Sequence, residues 1–249
     1  MSENSIEIVE ATKLYGKLVA VDAVSLQIKR GEVYALVGAN GAGKSSLMRA
    51  IVGLAQLDAG RISICGHDTK KNLLRAKRHT GYLPEELLFY ERLTGKEYLR
   101  LVAGLKEADT MQVEDEIEFY ELKTVEDKWI GGYSLGMRKK LGLAAAMTGR
   151  PQVLVLDEPL NGLDVEMMRK LRGRIKREQE RGCTLLVSSH VMDFVERTSN
   201  RVGIMRAGRL VAEGTPEELR NQAGLSDAPF EDVFFGLASG KEFSLKSDK

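Results

Sequence analysis

The sequence predicts an α/β fold with a mainly parallel sheet covered on both faces, and three observations support this. Short β-rich segments, several apolar throughout, occur at residues 6–9, 33–37, 61–65, 153–156 and 183–187. Unbroken apolar strands are typical of sheets buried on both faces. Helical patterns lie between these segments, and alternating strands and helices favour an α/β core. The length of 249 residues allows one large α/β domain or two modest ones.

The predicted helices carry start and stop signals. Two starts have the spacing of a capping box, in which a glutamate follows a threonine after three residues. Two glycines stand where helices are expected to stop, because glycine adopts the left-handed conformation that commonly ends a helix. The positions are Thr94 with Glu97, Thr215 with Pro216 and Glu218, and the glycines Gly182 and Gly224.

The stretch from about residue 85 to residue 150 differs from the rest of the chain. It shows helical periodicity and few β-branched clusters, so we expect a helical insertion there. The sequence contains no repeat with a period of about 20 to 50 residues and no low-complexity linker between two independent domains. We therefore expect one main domain over residues 1–224, with a helical subdomain at about 85–150 inserted in it.

Residues 225–249 are expected to form a short C-terminal tail with one amphipathic helix. Phe230, Val233, Phe234 and Leu237 recur at i, i+3, i+4 and i+7, which places them in one apolar stripe. We expect this stripe to fold back onto the body of the protein. The last residues, 241–249, have little to bury and are expected to be disordered.

Composition excludes several classes of function. The 37 Lys and Arg residues nearly balance the 36 Asp and Glu residues, so bulk charge would not recruit nucleic acid. The longest uncharged segments, 33–43 and 182–192, have eleven residues each, whereas a membrane span needs roughly 20 apolar residues. The first ten residues lack the basic segment of a secretory signal peptide. Cys65 and Cys183 have no metal-site spacing, which fits reduced thiols in the cytoplasm.

The most informative segment is residues 38–46, Gly-Ala-Asn-Gly-Ala-Gly-Lys-Ser-Ser, which lies between an apolar strand and a helical pattern. This is the context that a phosphate-binding P-loop requires. The glycines allow backbone N–H groups to point at phosphate oxygens, and the helix N-terminus adds its positive dipole end. Lys44 supplies a charge toward the β- and γ-phosphates, and Ser45 offers a hydroxyl to Mg²⁺. The residues expected to contact the nucleotide here are Gly38, Asn40, Gly41, Gly43, Lys44, Ser45 and Ser46.

A second signal is the apolar strand 153–156, which ends in Asp157 and Glu158. Ligands in open α/β sheets bind beyond the carboxyl ends of the strands. We expect Asp157 to hold Mg²⁺ directly or through water, and Glu158 to orient the attacking water and accept its proton. The phosphoryl-transfer transition state needs positioning more than proton abstraction, so a weakly basic carboxylate suffices. Without a P-loop, such a pair is equally typical of a helix cap.

Seven motifs occur along the chain in a fixed order. Because of these motifs, the chain resembles the ATP-binding subunit of an ABC transporter over about residues 6–224. The motifs are Tyr15, the P-loop, residues 81–85 (Gly-Tyr-Leu-Pro-Glu), 133–137 (Tyr-Ser-Leu-Gly-Met), 157–158, 161–164 (Asn-Gly-Leu-Asp) and 188–190 (Ser-Ser-His). A generic P-loop ATPase lacks the middle elements. The resemblance implies a P-loop ATPase core with a mainly parallel sheet, an N-terminal antiparallel β portion and an inserted helical subdomain.

The resemblance also implies roles for residues outside the P-loop. Tyr15 matches the aromatic residue that stacks on adenine. Ser134 and Gly136 match a signature loop that faces the γ-phosphate of a nucleotide held by the opposite subunit. His190 matches the histidine that contacts the γ-phosphate, so Lys44, Glu158 and His190 form the implied catalytic set. Asp164 matches the aspartate that couples the two sites, and it could equally be the N-cap of the following helix.

The signature loop departs from the usual family form, Leu-Ser-Gly-Gly-Gln. Tyr133, Leu135 and Met137 replace its first, third and fifth residues, a form similar to that of subunits in exporter-type systems. Leu135 lacks the conformational freedom of glycine, and Met137 lacks an amide. Asn161 stands where serine is commoner, which is a modest change.

Glu85 is the departure with the clearest electrostatic consequence. It stands where the family usually has a glutamine that contacts Mg²⁺ and water and senses the membrane partner. A carboxylate here adds negative charge beside Asp157 and Glu158, so it would tighten metal binding or raise a pKa. We expect the metal ligands to be Ser45, Glu85 and Asp157.

These observations predict the Mg²⁺-dependent ATPase subunit of an ABC transporter, an exporter by its signature form, with ATP and Mg²⁺ as cofactors. ATP binding would close the chain head to tail on a second ATP-binding subunit. A homodimer is expected, with a related chain as the alternative. The subunit would rest on the cytoplasmic face of the cell membrane through integral membrane permease subunits. The apolar residues 87–90 lie where the family docks a short helix of its membrane subunit, and form either a docking groove or core.

Two other functions stay open. One is a soluble ABC ATPase that acts on nucleic acid or the ribosome. Such proteins usually carry a long coiled coil, fused ATPase units or DNA-reading modules, and this sequence has none of these and no basic stripe, so no nucleic-acid partner is expected. The other is a binding protein with a degenerate site, which the presence of Lys44, Ser45, Asp157, Glu158 and His190 disfavours.

Overall fold

The computed structural model describes residues 3–239, and its first sheet is antiparallel throughout. This sheet contains β1 (Asn4–Tyr15), β2 (Leu18–Lys29), β4 (Ala59–Ile64) and the short β5 (His67–Asp68). The strands lie in the order β2, β1, β4, β5. The implied N-terminal antiparallel portion is therefore confirmed.

The second sheet is mainly parallel, as predicted. It contains β3 (Val33–Val37), β6 (Thr80–Leu83), β7 (Val153–Leu156), β8 (Thr184–Ser188), β9 (Arg201–Arg206) and β10 (Arg209–Gly214). The order is β10, β9, β3, β8, β7, β6, and only the β9–β10 pair is antiparallel. Every residue of β3, β7 and β8 is buried, which agrees with strands that are apolar throughout.

The helices of the described residues include those with predicted capping signals. In chain order, the helices are α1 (Lys44–Ile51), α2 (Leu73–Arg78), α3 (Gly95–Leu105), α4 (Met111–Phe119), α5 (Leu135–Met147), α6 (Val165–Glu180), α7 (Met192–Thr198), α8 (Pro216–Ala223) and α9 (Phe230–Ser239). Both capping boxes form, at Thr94 and Thr215, and Gly224 ends α8 in the left-handed conformation. Across residues 3–239, no helix has both the length and the apolar character of a membrane span.

Helices occupy the chain between β6 and β7, where the sequence predicts an insertion. The helices α3, α4 and α5 fall there, together with a 3₁₀ turn at Ile130–Gly132. Their apolar residues share one core with α6 and one face of the parallel sheet. The inserted helical subdomain of the fold class is confirmed, and the division of the chain at residue 224 stays a prediction.

Each face of the parallel sheet has its own apolar core because side chains alternate along a strand. Tyr34 and Leu36 of β3 pack with α1 and the antiparallel sheet. Ala35 and Val37, on the other face, pack with the C-terminal helices. The carboxyl end of β3 therefore emerges between two packed layers, and that is where the P-loop begins.

The C-terminal helix α9 folds back on the body through the apolar stripe. Phe230, Val233 and Phe234 are buried, and Leu237 packs on the same cluster as β9 and α8. The guanidinium of Arg206, at the end of β9, donates to the carbonyl of Ala238 at 2.8 Å. Residues 241–249, for which little burial is expected, lie outside the described residues.

Several strands differ from the predicted segments. The first strand runs to Tyr15 rather than ending at residue 9, because the chain continues past a bulge at Glu10, whose φ is 47°. The segments predicted at 61–65 and 183–187 form as Ala59–Ile64 and Thr184–Ser188. Strands β2, β5, β6, β9 and β10 lie outside the predicted segments. In β2, buried and exposed positions largely alternate, so no apolar run marks it.

Candidate nucleotide-binding site

The P-loop connects the central strand β3 to α1 and passes close to neighbouring backbone at two glycines. A Cβ on Gly38 would lie 2.5 Å from the carbonyl oxygen of Met205 in β9. Gly43 precedes α1 with a φ of 104°, and a Cβ there would collide with the carbonyl of Ala20 in β2. No side chain caps α1, so its first N–H groups remain available to an anion. The close approach of the β9 and β2 backbones leaves room only for glycine at both positions.

Lys44 is folded onto the loop that it follows. Its ammonium donates to the carbonyl oxygen of Gly38 at 2.7 Å and to that of Ala39 at 3.4 Å, and the residue is buried. The hydroxyl of Ser45 donates to Glu85 Oε2 at 3.3 Å. Glu85 lies two residues beyond β6, so a helix N-terminus and a strand end converge here.

A cavity of about 210 Å³ lies against the loop and contains most of the predicted contact residues. Its walls combine backbone of the P-loop with two carboxylates from the ends of β6 and β7. The lining residues are Asn40, Gly41, Ala42, Lys44, Ser45, Ser46, Glu85 and Glu158. The structure thus places P-loop residues and both acidic residues around one small polar space.

Asp157 is held by Ser188, a contact that no specific sequence signal predicts. The hydroxyl of Ser188 donates to Asp157 Oδ1 at 2.6 Å and accepts from the backbone N–H of Glu158 at 2.8 Å. The register of β7 and β8 explains the contact. Leu156 pairs with Val187, so the residues that follow them, Asp157 and Ser188, lie at the same edge of the sheet. Polar residues after two apolar strands are the only signal that could have indicated it.

The other Asp157 oxygen, Oδ2, is buried and has no hydrogen-bond partner in the described part of the chain. An orphaned carboxylate oxygen is costly and marks a place for a cation or an ordered water. Residues 3–239 contain no group of three or more His, Cys, Asp or Glu residues arranged to hold a metal. Mg²⁺ is commonly bound through one or two carboxylates, and phosphate oxygens, water and a hydroxyl complete its shell. Asp157 with Ser45 and Glu85 fits that requirement.

Glu158 and His190 form a pair beside the cavity. Glu158 Oε2 lies 2.9 Å from His190 Nδ1, and the imidazole is largely exposed whereas the glutamate is buried. Glu158 adopts a φ of 47°, the left-handed region that non-glycine residues rarely occupy. Such strain concentrates at functional sites, where neighbouring contacts hold it. Here those contacts are the bonds to Ser188 and His190.

Tyr15 lies at the end of β1, outside the lining of the cavity. Its ring is 45% exposed, and the ammonium of Lys13 lies 5.2 Å from the ring centroid. The hairpin that carries it continues into β2, whose Ala20 touches the P-loop at Gly43. An exposed aromatic ring on a strand tied to the P-loop is consistent with a base-stacking role.

Ser134, Gly136 and Asp164 do not line this cavity. Ser134 caps α5 and accepts from the N–H of Met137 at 3.3 Å. Asp164 caps α6 and accepts from the N–H of Met167 at 2.8 Å, so the N-cap alternative for Asp164 is borne out. A Cβ on Gly136 would lie 3.0 Å from the carbonyl of Gly162, so the two helix starts are neighbours. They form a second, separate surface.

The segment 87–90 is divided between core and surface. Leu87 and Phe89 pack against the large core of the helical region, whereas Leu88 and Tyr90 are 90% and 70% exposed. A groove of about 260 Å³ lies between β6 and α3, and its wall includes Tyr98, whose ring packs edge-on against Phe89. Leu54, Tyr82, Tyr98 and Val102 line it, among other residues.

The strand, the glycine-rich loop with its Lys-Ser pair and the following helix define a P-loop nucleotide-binding protein. The family model described as ABC transporter matches residues 21–161. The chain is 36% identical to the bacitracin transport ATP-binding protein BcrA of Enterococcus faecalis, over 88% of this chain and 72% of that protein. Its backbone superposes on a solved ATP-binding subunit of an ABC transporter with a TM-score of 0.88 and 30% identity, covering 93% of this chain and 98% of the other. The chain belongs to the ABC transporter family of ATP-binding proteins.

Another relative is considerably longer than this chain. The probable multidrug ABC transporter ATP-binding protein YbhF of Escherichia coli K12 is 33% identical over 91% of this chain. The match covers 40% of YbhF.

Proposed function

We propose that this chain is the Mg²⁺-dependent ATPase subunit of an ABC exporter. The observation that carries the proposal is the Glu158–His190 pair beside the P-loop cavity, with the orphaned Asp157 oxygen next to it. The names of BcrA and YbhF, a bacitracin transport protein and a probable multidrug transporter protein, support a transport role, and the exporter-type form of the signature loop supports export as the direction. The transported compound would contact membrane subunits rather than this chain.

Different residues of the site would bind the phosphates and the metal ion. Lys44 would exchange the carbonyls of Gly38 and Ala39 for phosphate oxygens, while loop N–H groups surround the phosphates. Ser45, Glu85 and Asp157 would hold Mg²⁺, which supplies positive charge to the transferring phosphoryl group.

Glu158 would orient the attacking water and accept its proton. His190, hydrogen-bonded to Glu158, would fix that carboxylate and face the γ-phosphate. Both side chains sit beyond the ends of parallel strands, which is the usual position for catalytic groups in this class of sheet.

The second surface supports a head-to-tail dimer. Ser134 and Asp164 are exposed at two helix N-termini, beside Leu135 and Val165, which are 71% and 83% exposed. A second copy would cover these apolar residues and bring its Ser134 and Gly136 to the γ-phosphate. ATP would then favour the closed dimer, because it contacts two subunits when the dimer is closed and one when it is open.

Contact with the membrane would run through integral permease subunits. The groove lined by Leu54 and Tyr98, with the exposed Leu88 and Tyr90 near it, offers apolar surface for a short helix of such a partner. The chain would then work at the cytoplasmic face of the membrane.

The first test is ATP hydrolysis and oligomeric state of the purified protein. Glu158→Gln keeps the shape of the side chain, so we expect it to bind ATP, to lose hydrolysis and to elute as a dimer from a sizing column in Mg-ATP. A variant that stays monomeric at saturating Mg-ATP would refute the dimer mechanism.

The transporter role is tested by recovering the protein from gently solubilised membranes. A polytopic membrane protein in the same complex supports it. ATPase activity that nucleic acid stimulates, without such a partner, would favour the nucleic-acid or ribosome alternative.

A further inference from the structure

Lys139, in α5, is a buried charge that the mechanism above does not use. The residue is only 2% exposed. Lysine is almost never buried to this extent without an anionic partner, because an unpaired ammonium loses its hydration. Yet no carboxylate of residues 3–239 lies within 4.0 Å of its ammonium, the distance that defines the ion pairs elsewhere in the fold. Its compensating charge therefore lies at longer range.

The packing of α5 on β6 shows where Lys139 lies. The carbonyl of Ala146 abuts Gly81, and a Cβ on Gly142 would lie 2.9 Å from Leu83 Cδ1. Four residues toward the N-terminus of α5 therefore correspond to two residues toward the C-terminus of β6. Lys139, three residues before Gly142 and therefore on the same face of the helix, lies in the next turn, near the level of Glu85 just past the end of β6.

The same level of the fold contains the other two carboxylates. Asp157 follows β7, and its N–H donates to the carbonyl of Leu83 at 2.9 Å. Glu158 is the next residue, and both are buried. Burial lowers the pKa of Lys139, and the charges of Asp157, Glu158 and Glu85 oppose that effect. Three acidic side chains and the ammonium of the buried Lys139 therefore act on one another.

We infer that Lys139 is a positioning residue of the ATPase site, whose ammonium balances the carboxylates of Glu85, Asp157 and Glu158 although Lys139 does not line the cavity itself. The inference rests on the proposed function. With the ammonium present, three acidic groups tolerate one another and a polyanionic substrate at close range. Without it, Glu85 and Glu158 repel each other and the triphosphate, while the site attracts cations more strongly.

The experiment removes the charge while keeping the length of the side chain. Lys139→Met and Lys139→Gln are compared with the charge-preserving Lys139→Arg and with Lys176→Met, which removes an exposed lysine of α6. Two quantities are measured. One is Mn²⁺ affinity with a non-hydrolysable ATP analogue, from the EPR signal of free Mn²⁺. The other is kcat and KM for Mg-ATP hydrolysis.

We expect both neutral variants to bind Mn²⁺ about three- to tenfold more tightly and to lose about tenfold in kcat with little change in KM. Adding Glu85→Gln to Lys139→Met should bring Mn²⁺ affinity back to within about twofold of the parent, because one negative charge is removed with the positive one. Lys139→Arg and Lys176→Met should match the parent in Mn²⁺ affinity.

Unchanged Mn²⁺ affinity in both neutral variants, or no compensation by Glu85→Gln, overturns the role of Lys139. A parent protein that neither binds the analogue nor hydrolyses ATP overturns the proposed function itself. A general packing defect is distinguishable, because it would weaken Mn²⁺ binding and Glu85→Gln would not correct it.

Discussion

Ser188→Ala tests whether one hydroxyl holds the side chain of Asp157 and the backbone of Glu158 in place. In the structure this hydroxyl donates to Asp157 Oδ1 at 2.6 Å and accepts from the N–H of Glu158 at 2.8 Å. All three residues are buried, so water cannot readily replace the lost partner. The substitution removes both bonds at once and leaves a buried carboxylate oxygen and a buried N–H unsatisfied.

The magnitude follows from these two bonds. A hydrogen bond to a charged group is worth about 1.5–3 kcal/mol, and a buried group left unsatisfied costs about 1–3 kcal/mol. The two losses share one hydroxyl and are not additive, so we expect the free energy of unfolding to fall by about 3 kcal/mol. Because the strained Glu158 also loses an anchor, kcat should fall by about one to two orders of magnitude, as removal of a positioning contact commonly causes.

The matched control is Ser189→Ala, at the next residue. Ser189 is equally buried, and its hydroxyl accepts one bond, from the N–H of Val191 at 3.1 Å. We expect a loss of about 1 kcal/mol there. Urea unfolding with equal m-values and steady-state ATP hydrolysis provide the measurements. Equal destabilisation of the two variants, or a Ser188→Ala protein with parental kcat, would refute the argument.

Two further substitution pairs test the backbone of the P-loop and the C-terminal helix. Gly38→Ala would drive a Cβ into the backbone of β9 and should abolish nucleotide binding, whereas Gly104→Ala, in open space within α3, should raise the free energy of unfolding by about 0.5–1 kcal/mol. Nucleotide titration and urea unfolding are measured for both variants. Parental nucleotide binding by Gly38→Ala would contradict the close approach. Phe230→Ala should lower the free energy of unfolding by about 3–5 kcal/mol, because Phe230 is 2% exposed. Phe235→Ala, at a residue 54% exposed, should lower it by under about 1 kcal/mol. Similar unfolding midpoints for the two variants would show that α9 does not pack as described.

The P-loop and the two carboxylates could be predicted because their signals are local. A glycine-rich loop between an apolar strand and a helix requires no knowledge of distant residues. The rule that ligands gather at strand ends then brings Asp157 and Glu158 to the same edge. The cavity lining places Glu158 and Glu85 beside Lys44, although the roles of these residues stay a prediction.

Other features depend on register, which the sequence does not specify by itself. Ser188 meets Asp157 only because β7 and β8 pair with Leu156 opposite Val187. Lys139 is a typical surface residue by composition, and only the passage of α5 over β6 buries it. The strands with mixed polarity were missed for a related reason, since one exposed face interrupts the apolar run.

The left-handed backbone at Glu158 has a consequence for the evolution and engineering of this chain. A non-glycine residue in that region costs roughly 1–2 kcal/mol, so a glycine there would relax the turn. Selection for heat resistance alone would therefore favour discarding this carboxylate, for which we propose a catalytic role. Because the proposed role of Glu158 requires its carboxylate, thermostabilisation campaigns should leave this turn untouched.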